Sequence, residues 1–143
     1  MSLDGKILGI DLGAVRIGLA LSDASGILAS PFMTLARGSS DQESINQILE
    51  IAANEAVASL VIGIPKSLSS KNHFAEERTR LFVAELTSRT ELPIHEVDER
   101  FTTVLASRQL RETGHDSRSM KSKIDAIAAA QILQSFLDNR GDK

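Results

Sequence analysis

The sequence predicts an α/β protein built on a mixed five-stranded sheet with helices on both faces. Three observations carry that prediction. Three apolar, strand-like segments open the chain with only short turns between them, so they run antiparallel. The hydrophobic pattern then switches from strand-like to helical after Ser40. Beyond that point strands alternate with helices, and the unbroken apolar run Leu60 to Ile64 suits a buried parallel strand.

Taken in order, Ile7 to Leu12 is a first strand interrupted by one carboxylate, Asp11. Ile17 to Ser22 follows a glycine-containing turn and hairpins onto it. Ile27 to Leu35 is a third strand after the turn Asp23-Ala24-Ser25-Gly26, and Pro31 places it at an edge or at a bulge. Ser40-Asp41-Gln42-Glu43 is a capping box, with Ile45, Ile48, Leu49, Ala52 and Ala56 behind it at helical spacing. After Leu60 to Ile64, Pro65 and the polar loop Lys66 to Asn72 lead into a second helix, its apolar face drawn from Phe74, Leu81, Phe82 and Leu86. Ile94 to Val97 is the fifth strand, with Asp98-Glu99-Arg100 at its C-terminal end. Val104 to Glu112 is a short helix closed by Gly114, and a basic loop leads to a last helix over Ser122 to Leu137. Three antiparallel strands followed by alternating helices and parallel strands make the ribonuclease-H-like arrangement.

Length and composition agree with one such domain over residues 1–143. A chain of 143 residues buries roughly two-thirds of its unfolded surface and is short for two cores. It is 42% hydrophobic and 24% charged, as soluble globular proteins are. No apolar run approaches the roughly 20 residues of a membrane-spanning helix, so no membrane association is expected. The first residues offer no cleavable signal, and the absence of cysteine removes disulfides and sulfur-based zinc sites. A cytoplasmic location is the expectation. A net charge of −3 argues against a generally basic nucleic-acid coat, and five phenylalanines with no Trp or Tyr supply a poor base-stacking platform. A bound nucleic acid would be held by its phosphates or its shape.

Three carboxylates have surroundings unlike those of surface acids. Asp11 lies within an apolar strand, Glu99 where the parallel strands end, and Asp125 just ahead of Ala126-Ile127-Ala128-Ala129-Ala130. A lone buried carboxylate costs several kcal/mol, so such groups are paired, hydrogen-bonded or bound to metal. Acids converging without cysteine or a His-x-x-x-His pair point to a hard, oxygen-bound cation, Mg2+ or Mn2+. Two such ions about 4 Å apart can activate a water and stabilise a leaving oxygen in phosphodiester cleavage. Each acid also has a simpler reading: Asp11 in a turn, Asp125 at a helix N-terminus, Glu99 paired with Arg100. The small alanines would let the last helix pack closely and bring Asp125 to the other two.

The glycines do not make a nucleotide loop. Gly13 and Gly18 have the P-loop gap, but Leu19-Ala20 stands where Lys-Ser/Thr is required. No Gly-x-Ser-x-Gly elbow occurs, and His73, His95 and His115 have no evident nucleophile partner. From Arg108 to Lys123 the chain carries Arg108, Arg111, Arg118, Lys121 and Lys123 against Glu112 and Asp116, a local excess that reads as a phosphate-contacting surface or a solvated loop. Arg16 and Arg100, beside the acids, are further phosphate candidates.

Four segments together resemble the YqgF, or RuvX, family over nearly the whole chain. Gly9 to Asp23 is similar to its opening motif, Val61-Ile62-Gly63-Ile64-Pro65 to its second, Asp98 to Thr103 to its third and Lys123 to Leu133 to its last. The resemblance implies a ribonuclease-H-like nuclease of the bacterial cytoplasm, linked to maturation of the 5′ end of 16S ribosomal RNA. An older assignment within the family, by analogy with RuvC, is resolution of DNA junctions. It implies Asp11, Glu99 and Asp125 as catalytic, metal-binding acids, with Asp98 a less certain fourth, and Thr102 and Thr103 as support for the site or caps for the next helix. Lys66 to Asn72 departs from the family pattern by lacking a glycine, which bears on substrate preference. A non-catalytic ribosome-assembly module and a DNA junction resolvase are the rival readings. Gly-Ile-Asp-Leu-Gly also resembles a phosphate motif of actin-like kinases, which need two such domains. Oligomeric state is not fixed by the sequence.

Overall fold

The computed structural model describes residues 5–38, 40–66, 73–113 and 118–140. Strands β1 (Lys6–Leu12), β2 (Arg16–Ser22) and β3 (Ala29–Ala36) come first, then helix α1 (Asp41–Asn54) and strand β4 (Val57–Ile64). Helix α2 (His73–Arg89), strand β5 (Ile94–Asp98), a 3-10 turn (Glu99–Phe101), and helices α3 (Val104–Thr113) and α4 (Arg118–Arg140) complete the order. The sheet runs β3-β2-β1-β4-β5. The pairs β1–β2 and β2–β3 are antiparallel, and β1–β4 and β4–β5 are parallel. The predicted mixed five-stranded sheet is therefore present.

Alternation along the strands sorts residues between two cores. Leu8, Ile10, Ile17, Leu19, Leu60, Ile62 and Ile64 face α1 and α2, where they meet Ile45, Ile48, Phe82 and Leu86. Ile7, Ala20 and Val61 face the other way, onto Val104 of α3 and Ala128, Ala129, Ile132 and Leu133 of α4. Each such buried aliphatic side chain contributes about 1.5–3 kcal/mol, so both helical layers are held by the same central strands.

Local chemistry sets the ends. Ser40 caps α1, its hydroxyl accepting the Glu43 N–H at 3.2 Å. The third strand starts at Ala29 rather than Ile27, because Asp23 Oδ1 accepts the N–H groups of both Ile27 and Leu28 and keeps them in the turn. Pro31 does lie on an edge strand, and the register shifts there, Leu19 pairing Met33 but Ala20 pairing Pro31. On α2 the inward stripe is Thr79, Phe82 and Leu86, while Phe74 and Leu81 are exposed. Thr79 is tolerated inside because its hydroxyl donates to the Ala75 carbonyl at 3.0 Å. Helix α4 begins at Arg118, so Arg118, Lys121 and Lys123 belong to its opening turns and not to a loop. The expected cap at Gly114, and 67–72 of the atypical loop, lie outside the described residues.

Candidate active site

Alternation on β1 sends Asp11 to the α4 side of the sheet, at the C-terminal end of the strand. Its partner on β2 is Gly18. The parallel register Gly9–Val61 and Ile10–Ile62 carries it alongside Gly63 of β4. Both neighbours lack a side chain, and both gaps are used. A Cβ at Gly18 would fall on the Asp125 carbonyl oxygen, and one at Gly63 would come within 2.7 Å of Glu99 Oε2. Two glycines flanking Asp11 thus make the space into which α4 and the Glu99 carboxylate descend.

The three predicted acids are brought to one place, and all are buried: Asp11 2% exposed, Glu99 3% and Asp125 1%. Asp125 sits two turns inside α4 rather than in its first turn. The helix-dipole account of that residue therefore fails, since the effect fades within one turn. The close approach of α4 that the alanines suggested also needs the sheet glycine, as Gly18 lies directly under the Asp125 backbone.

Positive charge fills the space between the acids. Arg108 of α3 donates from Nη1 to Glu99 Oε1 at 2.6 Å and from Nη2 to Glu99 Oε2 at 3.1 Å, and Nη2 also reaches Asp11 Oδ1. Arg16 Nε donates to Asp125 Oδ2 at 2.5 Å. Burial pushes the Asp11 carboxyl up to about 6 against the lowering effect of Arg108, and the charges of Glu99 and Asp125 push the same way as burial. Asp11 and Glu99 in turn hold the Arg108 guanidinium above its ordinary pKa in spite of burial.

Arg108 is the residue that sequence reading left out of the site, having counted it only within a basic stretch. Helical spacing held the signal. Val104 and Ser107 are buried on α3, and a residue four past Val104 returns to that inner face.

The other candidates are dispersed. Asp98 accepts both the Arg100 backbone N–H at 3.0 Å and its guanidinium at 2.7 Å, which holds its carboxyl below the usual range. Arg100 lies over the Phe101 ring and has no hydrogen bond to the three acids. Lys121, one turn before Asp125, is half-buried, and Lys123 is exposed. The Arg118 side chain lies outside the described residues. Thr102 accepts the Val104 N–H at 3.2 Å, which is a capping contact for α3.

The donor set, carboxylate oxygens from three separate elements without sulfur or imidazole, has the chemistry of a Mg2+ or Mn2+ site. In the described arrangement each of the three carboxylates accepts from a guanidinium group. Among the described residues no three Asp, Glu, His or Cys side chains form a ready cation cage. Chemically the residues fit a divalent ion, and Arg108 bridges two of the three acids, Glu99 and Asp11.

A ribonuclease-H-like sheet with buried acids from β1, from the turn after β5 and from α4 defines a nuclease of that fold class. Similarity to known proteins narrows this further. The chain matches the RuvX family, described as Holliday junction resolvase, over residues 5–139, and belongs to it. It is 40% identical over 132 residues to a protein of Maridesulfovibrio salexigens, covering 92% of this chain and 97% of that one. It is 39% identical over 137 residues to one of Mycobacteroides abscessus, covering 95% and 82%. Both are provisionally named pre-16S rRNA nucleases. Among solved structures it resembles T. thermophilus RuvC in complex with a Holliday junction substrate, at a TM-score of 0.61 with 13% identity and 96% of each chain covered. At that identity the likeness is one of fold. No helix among the described residues is long and apolar enough to cross a membrane.

Proposed function

We propose that this chain, acting as one domain over residues 1–143, is a metal-dependent endonuclease that hydrolyses phosphodiester bonds in structured RNA. Its role is maturation of the 5′ end of 16S ribosomal RNA precursor in the bacterial cytoplasm. The observation that carries the reading is the meeting of Asp11, Glu99 and Asp125 beside two glycines at the C-terminal end of the central strands. The names of its relatives support RNA as the substrate.

In this reading Asp11, Glu99 and Asp125 hold Mg2+ or Mn2+. A bound divalent ion supplies positive charge that polarises the phosphodiester and acidifies water. The chain supplies the rest. The glycine-flanked sheet fixes the three carboxylates before substrate arrives, so no reorganisation is required during reaction. Arg16 pairs with Asp125, and Arg108 with Glu99 and Asp11. Lys121, Lys123 and Arg118 on the opening turns of α4, with Arg16 and Arg100, hold the backbone phosphates. Pre-ribosomal RNA presented by an assembling ribosome is the favoured partner.

Resolution of branched DNA is the second reading, favoured by the family's description. One experiment separates them. Wild type and Asp11→Asn are incubated with labelled 16S precursor RNA and with a four-way DNA junction, in Mg2+, Mn2+ or EDTA. Cleavage of the RNA alone, lost in EDTA and in the variant, is expected. Junction cleavage would move the assignment to DNA. Binding without cleavage of either substrate would mark a ribosome-assembly module that keeps only the fold.

A further inference from the structure

Arg108 also lines a second feature, which the three-carboxylate reading does not use. A cleft of about 310 Å³ opens between the end of β1, the end of β4 and the first half of α2. Leu12, Gly13 and Pro65 line it together with Arg37, Arg78 and Arg108. Among the described residues no Asp or Glu lines it. Three guanidinium groups line this cleft, in a chain of net charge −3, and two of them are already paired with carboxylates outside its lining.

The arginines differ in how they are held. Arg37 is fixed, donating to the Gly13 carbonyl at 2.6 Å and to Asp41 at 2.9 Å, and it lies over the Phe82 ring. Two of its five N–H groups are used in those bonds. Arg108 is shared with the acids. Arg78 is different. On the same helix Arg80 is paired with Glu76 and Glu96, and Arg89 is bonded to Asn46. Arg78 has no carboxylate within ion-pair distance among the described residues and is exposed. Leu12 and Gly13 directly follow Asp11, so the cleft is contiguous with the acids.

We propose that this cleft is an anion subsite for a backbone phosphate adjacent to the one at the acids, with Arg78 as its principal contact and Arg37 as its fixed wall. The proposal rests on the nuclease reading above and adds the substrate's second point of attachment. The basic turns of α4 would hold one stretch of the strand, and the cleft would receive another. A guanidinium recognises phosphate by a planar fork of donors, and at about 310 Å³ the cleft is at the small end of ligand pockets.

The test measures binding of a fluorescein-labelled RNA hairpin with single-stranded flanks, by anisotropy in EDTA, where cleavage is suppressed. Arg78→Glu should weaken binding at least tenfold, and Arg78→Ala should lower the slope of log affinity against log salt by about 0.7–0.9. Arg80→Ala, altered on the same helix away from the cleft, should match wild type. In Mg2+ the Arg78→Ala variant should raise KM with kcat little changed, the signature of a contact made equally in ground and transition states. If Arg78→Glu binds as Arg80→Ala does while wild type still cleaves, the subsite is wrong and the nuclease reading stands. If wild type neither binds nor cleaves the RNA, both fall.

Discussion

Arg108 on α3 donates to Glu99 at 2.6 Å, and its guanidinium reaches Asp11 as well, so one cation bridges two buried acids that the sequence separates by most of the chain. The bridge ties α3 to the sheet and stands where a divalent ion would bind the same oxygens. The guanidinium serves as the counter-charge of both acids, and a cation held by the proposed site would compete with it for their oxygens.

Arg108→Ala should therefore destabilise the protein in EDTA. Removing one partner of a buried pair costs roughly 3–5 kcal/mol. The Arg108 side chain is 21% exposed, so a loss of about 3 kcal/mol, at the lower end, is expected. Millimolar Mn2+ should restore more of the urea midpoint in the variant than it adds to wild type, because the ion no longer competes with the guanidinium. A midpoint in EDTA equal to wild type would show that Arg108 is not the counter-charge.

Asp11 gives a stability profile with a definite sign. Its carboxyl is raised from 3.8 to about 6 in the folded chain, chiefly by burial. Below about pH 4 the group is protonated whether the chain is folded or not, and it costs nothing. Between about pH 4 and 6 the unfolded chain gives up the proton and the folded chain keeps it, so stability falls as pH rises. Above pH 6 the loss is complete and amounts to on the order of 3 kcal/mol. In EDTA, Asp11→Asn should lack this fall, be the more stable protein at pH 7 by up to that amount, and have no cleavage activity in Mg2+. Urea titrations from pH 4 to 8 that leave the difference between the two proteins constant would rule this out.

The basic opening of α4 predicts a change in salt dependence. Lys121 and Lys123 lie within one turn of Asp125, one half-buried and one exposed. Replacing both with glutamine should weaken RNA binding and lower the salt slope by about 1.5, two phosphate contacts' worth of released counterions. A slope equal to wild type would return these lysines to the role of a solvated helix face.

What was legible in the sequence follows from the range of each signal. A carboxylate inside an apolar strand is a local contradiction, so Asp11 stood out without any structure. Strand direction was legible because short turns force antiparallel neighbours and helical connections force parallel ones. Arg108 was not legible as a site residue, because its role depends on the packing of α3 and not on its basic neighbours. The inward stripe of α2 was misread for a related reason. Leu81 and Phe82 are adjacent and cannot share the centre of one helical face, and the polar Thr79 takes the inner position by bonding to its own helix. Arg16 reads from the sequence as a phosphate candidate, and its pairing with Asp125 depends on the packing of α4, which no local signal carries.

The two glycines beside Asp11 should fail in different ways when given a methyl group. At Gly63 the added carbon meets Glu99 Oε2 and Ile132 Cδ1, each at 2.7 Å and each the far end of a side chain rather than backbone. Gly63→Ala should therefore cost about 1 kcal/mol or less, yet displace the Glu99 carboxylate and lower cleavage up to about a hundredfold, as a 1 Å misplacement can. At Gly18 the added carbon meets the backbone of Asp125 and Ala126, which moves only if α4 moves. Gly18→Ala should cost about 1–3 kcal/mol and abolish cleavage. Urea midpoints and cleavage rates of the two variants, measured side by side, check the distinction. Equal losses of stability would mean that α4 yields as readily as a side chain, and that its seat on Gly18 does not fix the position of Asp125.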